Sequence, residues 1–123
     1  MNASAPARPW PTDLAFDRKA HVLRIAFDDG VKFDIPFELL RVESPSAEAR
    51  GHGGERPLVL GKAHVGVVEA QPVGRYAVRI VFDDGHDTGL YSWGLLYELG
   101  RDKEKLLSEY RARIYAREKH PDA

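Results

Sequence analysis

The residues that could do chemistry gather around one histidine. His86 follows an Asp-Asp-Gly turn and has Asp83, Asp84 and Asp87 as sequence neighbours. Imidazole titrates near neutral pH, so a histidine beside carboxylates can act as a general acid or base. No second catalytic group with a recognisable role accompanies His86, and Asp-Asp-Gly between two strands is typical of a tight turn. The pattern favours a structural turn and leaves acid–base catalysis by His86 and these carboxylates as an alternative.

Other catalytic and metal-binding patterns are weak. The chain has no cysteine, which excludes disulfides, thiolate nucleophiles and cysteine-ligated zinc or iron–sulfur clusters. His120 and Asp122 have the spacing of an iron-binding pair but lie at a chain end, where residues are usually disordered. We expect no catalytic residue, no cofactor and no resident metal. Weak metal binding by His86 with His52 or His64 is a further alternative.

Composition is that of one globular domain. The chain has 123 residues, of which 43% are hydrophobic and 30% charged, and its formal net charge is −1. A nearly neutral chain has no general attraction to nucleic acid or to an anionic membrane. Since no apolar run approaches a membrane span and the first residues lack the apolar core of a signal peptide, the expected compartment is the cytoplasm.

Alternating segments around two Asp-Gly pairs predict two β-hairpins. Ser92 is a plausible N-cap for a short helix, and Gly100 is a helix-stop signal. Apolar residues at helical spacing predict a final helix with mixed charge on its other faces. The predicted strands cover residues 14–16, 21–27, 31–35, 64–73, 75–82 and 86–91. The predicted helices cover residues 36–41, 93–99 and about 102–119.

The sequence contains an internal echo. Residues 23–30 match residues 78–85 almost one for one, and a return strand and a short helix follow each copy. We predict an α+β fold in which two hairpin–short helix units share one antiparallel or mixed β-sheet, with the C-terminal helix packed on it. The domain is expected over 12–119, after a disordered leader over 1–11 from which Trp10 packs back, and before a frayed tail over 120–123.

Two segments carry a family resemblance. Residues 39–49 read Leu-Leu-Arg-Val-Glu-Ser-Pro-Ser-Ala-Glu-Ala, and residues 74–93 contain Tyr-Ala-Val, Asp-Gly-His and Tyr-Ser-Trp. Together they resemble the γ-butyrobetaine hydroxylase-like N-terminal domain family, in its short stand-alone bacterial branch. Order and spacing agree over roughly residues 11–100, most of the chain. The resemblance implies the α+β architecture described above.

The resemblance also implies a degenerate zinc site. In the eukaryotic hydroxylases, three cysteines and a histidine hold a structural zinc; Ser44, Ser46 and Ala49 stand at the cysteine positions, and His86 keeps the histidine position. Zinc requires four good donors, and a serine hydroxyl is a poor one. We therefore predict no metal there. His86 is expected to hydrogen-bond segment 43–50 in place of the lost ion.

The function implied by the resemblance is a non-enzymatic accessory domain that binds a protein partner. Similar domains are fused to P-loop ATPases of iron–sulfur cluster carriage, so the implied partner is an iron–sulfur carrier or a P-loop ATPase. The alternative is an enzyme or an enzyme-completing subunit that uses His86. Tyr91, Trp93 and Tyr97 fit either core packing or a recognition patch. The candidate contact surface consists of Arg41, Ser44, Ser46, Glu48, His86, Tyr91 and Trp93.

Overall fold

The computed structural model describes residues 9–45 and 58–119 and shows an α+β fold. Its strands form two antiparallel sheets, each of three strands in sequential order. The α+β class and the two hairpin–helix units are confirmed, whereas the single shared sheet is replaced by two. The elements are β1 (Pro11–Asp17), β2 (Val22–Phe27), β3 (Lys32–Pro36), α1 (Phe37–Val42), β4 (Val67–Val73), β5 (Ala77–Phe82), β6 (Gly89–Ser92), α2 (Trp93–Arg101) and α3 (Lys103–Lys119).

The core lies between the inner faces of the two sheets and the helices. Alternation along β2 places Leu23 and Ile25 in the core and leaves Arg24 exposed, as the two-residue period of a strand requires. The central strand β5 repeats this pattern with Val78 and Ile80. Both central strands therefore bury one complete face, which fixes the register of the strands beside them.

The two units repeat the same backbone hydrogen bonds. In the first hairpin the Phe27 N–H donates to the Val31 carbonyl at 2.9 Å, and in the second the Phe82 N–H donates to the His86 carbonyl at 2.9 Å. The ladders β1–β2 and β4–β5 each have a register irregularity beside this phenylalanine. The echo in the sequence is thus a structural duplication, with equivalent positions about 55 residues apart.

The helix of each unit binds the hairpin turn of the other. Tyr97 of α2 donates its hydroxyl to Asp29 at 2.7 Å, and Arg41 of α1 donates Nε to Asp84 at 2.8 Å. These two contacts occupy equivalent places in the duplication. Each unit therefore contributes a helix side chain to the hairpin turn of the other unit.

Several predicted boundaries are wrong. Gly100 does not stop α2, which continues to Arg101; a Cβ on Gly100 would lie 2.3 Å from Cγ of Phe33, so the glycine permits close helix–sheet contact instead. The strand predicted to begin at 64 begins at Val67. Pro11, assigned to the leader, is the first residue of β1. Residues 1–8 of the predicted leader over 1–11, and the predicted tail over 120–123, lie outside the described residues.

Helix α3 packs through its N-terminal half. Leu107 and Tyr110 are buried, and the Tyr110 hydroxyl donates to the Val59 carbonyl. Most of the residues after Tyr110 are exposed. In the described part of the chain, no helix has the length and apolar character needed to cross a membrane.

Candidate functional site

His86 lies in the β5–β6 turn and contacts the end of α1. Its Nε2 is 2.8 Å from Oγ of Ser44, which is only 2% exposed. The expected hydrogen bond between His86 and segment 43–50 is therefore present. It joins the histidine to the first of the three positions where the related hydroxylases carry zinc-binding cysteines. Ser46 and Ala49, at the other two positions, lie outside the described residues, as does Glu48.

The end of α1 carries two polar contacts close together. Tyr91 donates its hydroxyl to the Leu40 carbonyl at 2.5 Å, because a carbonyl can only accept. The Ser44 hydroxyl acts on the same phenol and lowers its pKa, against the larger effect of burial. His86 is therefore joined to Ser44, and Tyr91 to the α1 backbone, within one polar network.

Asp84 holds two cations beside this network. Its carboxylate accepts from Arg41 Nε at 2.8 Å, from Lys62 Nζ at 2.6 Å and from the backbone N–H of His86 at 3.0 Å. The three side chains of the ion pairs are only 15–21% exposed. Burial alone would raise the pKa of Asp84, but the hydrogen bonds from Lys62, His86 and Arg41 together hold it well below its ordinary value.

Burial also sets the protonation of the ring groups. It lowers the pKa of His86 below the ordinary value, and the nearby Arg41 cation adds to this effect, while Asp84 and Asp87 partly oppose it. Burial raises the pKa of the Tyr91 hydroxyl. At neutral pH both groups are therefore uncharged, and each is already hydrogen-bonded within the network.

The duplication provides an internal control for this polar network. Val31 stands at the place of His86, since both accept the same backbone hydrogen bond in their hairpins. Ile35 stands at the place of Tyr91, because both pair with the same position of a central strand. Apolar residues at these two positions are therefore compatible with the fold. The polar side chains of the second unit are a specialisation of that unit.

Two members of the predicted contact surface do not share the position of His86. Tyr91 is completely buried, so its side chain cannot contact a partner in this structure. Trp93 begins α2 directly after Ser92, which pairs with Ala77 at the start of β5, whereas His86 bonds to Phe82 at its end.

Five residues of strand separate those ends by about 17 Å. The predicted surface is therefore not continuous. Arg41, Ser44 and His86 lie together at the β5–β6 turn, and Lys62 joins them without any signal in the sequence. Trp93 lies at the opposite end of the second sheet.

Trp93 instead lines a groove between β1 and β4. These are the edge strands of the two sheets, and they face each other without a hydrogen-bonded ladder. At one end, the rings of Trp10 and Tyr76 lie 5.7 Å apart; at the other, Arg18 Nη2 donates to the Val68 carbonyl at 2.8 Å. The groove encloses about 370 Å³. Its apolar lining includes Leu14, Phe16, Ala70, Pro72, Val78 and Trp93.

Large apolar side chains are exposed around this groove. Tyr76 is 66% exposed, Val68 56% and Trp10 45%, and Val73 and Leu14 are also among the eight large apolar residues that are exposed in the part of the chain that the structure describes. Clusters of this kind mark interaction sites more often than isolated exposed residues do. The sequence predicted that Trp10 packs on the domain, and its ring does contact that of Tyr76. The proximity of strands β1 and β4 from two different sheets was not predicted.

No cation site emerges from the described residues. Within 9–45 and 58–119, no three histidine or carboxylate side chains are close enough to hold a metal ion together. His64 is exposed, and His52 lies outside the described residues. The alternative of weak metal binding by His86 with His52 or His64 stays a prediction.

Comparisons with known proteins place the chain among small domains of the same architecture. A family model described as γ-butyrobetaine hydroxylase-like, N-terminal, matches residues 14–97. One solution NMR structure is 46% identical, with a TM-score of 0.79, and the match covers 96% of this chain and 89% of the other. A second NMR structure is 40% identical, with a TM-score of 0.76 and coverages of 87% and 85%.

A third similar structure is a crystal structure from Acidithiobacillus ferrooxidans. It is described as a protein of unknown function in the DUF971 family, and it is 38% identical, with a TM-score of 0.62. The match covers 73% of this chain and 91% of that one. No curated protein matches the chain.

Proposed function

We propose, given that the chain belongs to the γ-butyrobetaine hydroxylase-like N-terminal family, that it is a non-enzymatic domain that binds a partner protein through the groove between β1 and β4. The observation that carries this proposal is the cluster of exposed apolar side chains around the groove. Leaving these surfaces in water costs free energy that a partner would recover by covering them. Aromatic residues such as Trp10 and Tyr76 are also the types enriched at binding hot spots.

The polar network around His86 supports a structural role for that histidine over a catalytic one. His86 Nε2 is bound to Ser44, and the Asp84 carboxylate is bound to two cations and a backbone N–H. A histidine that acts as a general base is typically oriented by a carboxylate bound to its other ring nitrogen. In this arrangement the neighbouring carboxylate neutralises Arg41 and Lys62 instead of orienting the imidazole.

We further propose that the partner belongs to iron–sulfur cluster assembly, as an iron–sulfur carrier or a P-loop ATPase. This part rests on the family resemblance. Because the chain has no cysteine, thiolate ligation of a cluster would be provided by the partner. The domain would then act as an adaptor that positions the partner rather than as a carrier.

The test is affinity capture with a matched pair of surface variants. Tyr76→Ser removes an exposed ring at the groove, and Leu90→Ser removes an exposed apolar side chain, 46% exposed, on β6. Neither residue is buried, so both variants should fold, which circular dichroism checks. Trp93→Ala is less suitable because Trp93 packs against the core and its Nε1 donates to the Arg75 carbonyl at 2.7 Å.

The adaptor proposal expects a protein retained by the wild type and by Leu90→Ser and lost with Tyr76→Ser. Identification of that protein by mass spectrometry then tests the iron–sulfur part separately. Retention by all three forms would refute the groove as the contact surface. A groove-dependent partner with no connection to iron–sulfur assembly would refute only the identity proposed for the partner.

A further inference from the structure

Positive charge is concentrated at one end of α3. From Lys103 to Tyr110 two lysines balance two glutamates, whereas from 111 to 119 four cations face the single carboxylate of Glu118. Since the whole chain has a net charge of −1, the remainder is acidic. The chain therefore separates its charge, with the positive part on the half of α3 that is mostly exposed.

One flank of this half carries a regular pattern of cation, aromatic ring and cation. Arg111, Tyr115 and Lys119 follow each other at intervals of four, which places them on one face of the helix. All three are exposed, and Tyr115 is 61% exposed. Lys119 Nζ lies 5.6 Å from the centre of the Tyr115 ring, within the range of a cation–π contact.

Helix stability explains only part of this charge. Cations in the last turn interact favourably with the negative end of the helix dipole, but the effect does not extend beyond that turn. It therefore accounts for Lys119 and not for Arg111, which lies two turns earlier. The exposed Tyr115 ring contributes little to folding, because more than half of its surface stays in water. Neither the helix dipole nor burial therefore accounts for Arg111 and Tyr115 at these exposed positions.

We infer that Arg111, Tyr115 and Lys119 form a docking surface for an acidic patch of a partner protein. The stripe spans about 12 Å along the helix axis, which matches two or three carboxylates on one face of a partner. Arginine and tyrosine are well suited to such contacts, since guanidinium binds carboxylates in a fork geometry and the ring adds apolar area. A chain of net charge −1 lacks the long-range attraction expected of a nucleic-acid protein. None of these three residues lines the groove between β1 and β4.

The experiment measures binding of a fluorescent decaglutamate peptide to the full chain by anisotropy, at low and at physiological ionic strength. The test variant is Arg111→Glu/Lys119→Glu. The matched control is Lys19→Glu/Lys32→Glu, which changes the net charge equally at two other exposed lysines. A third variant, Tyr115→Ser, removes the ring and no charge. Far-ultraviolet circular dichroism confirms that helix content is preserved.

The inference expects salt-sensitive binding by the wild type, weakened about tenfold by the test variant and less than twofold by the control. Tyr115→Ser should weaken it as well. Equal losses in the test and control variants would reduce the effect to net charge and overturn the inference. It would also be overturned if the wild type ignored the peptide, or if it bound a single-stranded RNA oligonucleotide more tightly than the peptide through the same residues.

Discussion

The equivalent turn carboxylates Asp84 and Asp29 allow a matched test of the polar network. Both cap their own hairpin, since Asp84 accepts from the backbone N–H of His86 at 3.0 Å and Asp29 from that of Val31 at 3.0 Å. Both also accept from a side chain of the other unit's helix. Replacing either aspartate with asparagine keeps the shape and the capping oxygen. The comparison therefore isolates the negative charge.

The expected costs differ because the partners differ. Asp29 accepts from the neutral Tyr97 hydroxyl in an exposed position, so Asp29→Asn should cost about 1 kcal/mol. Asp84 neutralises Arg41 and Lys62, whose side chains are 15% and 21% exposed. In Asp84→Asn an amide N–H₂ or a weaker acceptor faces two partly buried cations, and we expect a loss of about 3 kcal/mol. The difference between the two variants should be about 2 kcal/mol.

Urea denaturation at neutral pH, followed by circular dichroism, measures both variants against the wild type. The m-value should stay constant, because the surface exposed on unfolding does not change. A second check is the dependence on salt. The difference in stability between the wild type and Asp84→Asn should change less with ionic strength than the contribution of an exposed ion pair would, because partly buried charges are screened less. Equal losses for the two variants would refute the reasoning, since the cations around Asp84 would then contribute nothing beyond the turn cap.

Three further predictions follow from the same contacts. The pKa of His86 is lowered in the folded state, so the unfolded chain binds this proton more readily and stability should fall as the pH drops below about 6.5. Urea titrations of His86→Gln should show a weaker dependence of stability on pH, and an unchanged dependence would contradict the prediction. Gly100→Ala places a Cβ 2.3 Å from Phe33 Cγ and should lower stability by about 2 kcal/mol. Replacement of glycine by alanine in an unhindered helix interior gains about 1 kcal/mol, and such a gain here would contradict the close packing. Tyr91→Phe leaves the Leu40 carbonyl without its donor and should cost about 1–3 kcal/mol in the same assay, and wild-type stability would argue against that bond.

The hairpin turns and the helix cap could be predicted from short sequence patterns alone. Asp-Gly after an alternating segment predicts a hairpin because Gly30 and Gly85 adopt positive φ, 87° and 91°, at little cost. Ser92 caps α2 as expected, with its Oγ accepting from Leu95 N–H at 3.0 Å. The fate of Gly100 could not be predicted, because a glycine near a helix end is equally suited to a stop and to close packing against a ring from a distant strand.

The sequence by itself determined the duplicated units, the family and the contact of His86 with the segment after α1. The duplicated units follow from turn chemistry, strand period and repeated residue order. The family follows from the resemblance carried by residues 39–49 and 74–93, and that resemblance implied the His86 contact. Only the tertiary structure decided how the units combine. Contacts between segments distant in the sequence bring Lys62 to Asp84, bury Tyr91 against α1 and leave a groove between β1 and β4. Such contacts depend on the packing of side chains from distant segments, for which local pattern provides no rule.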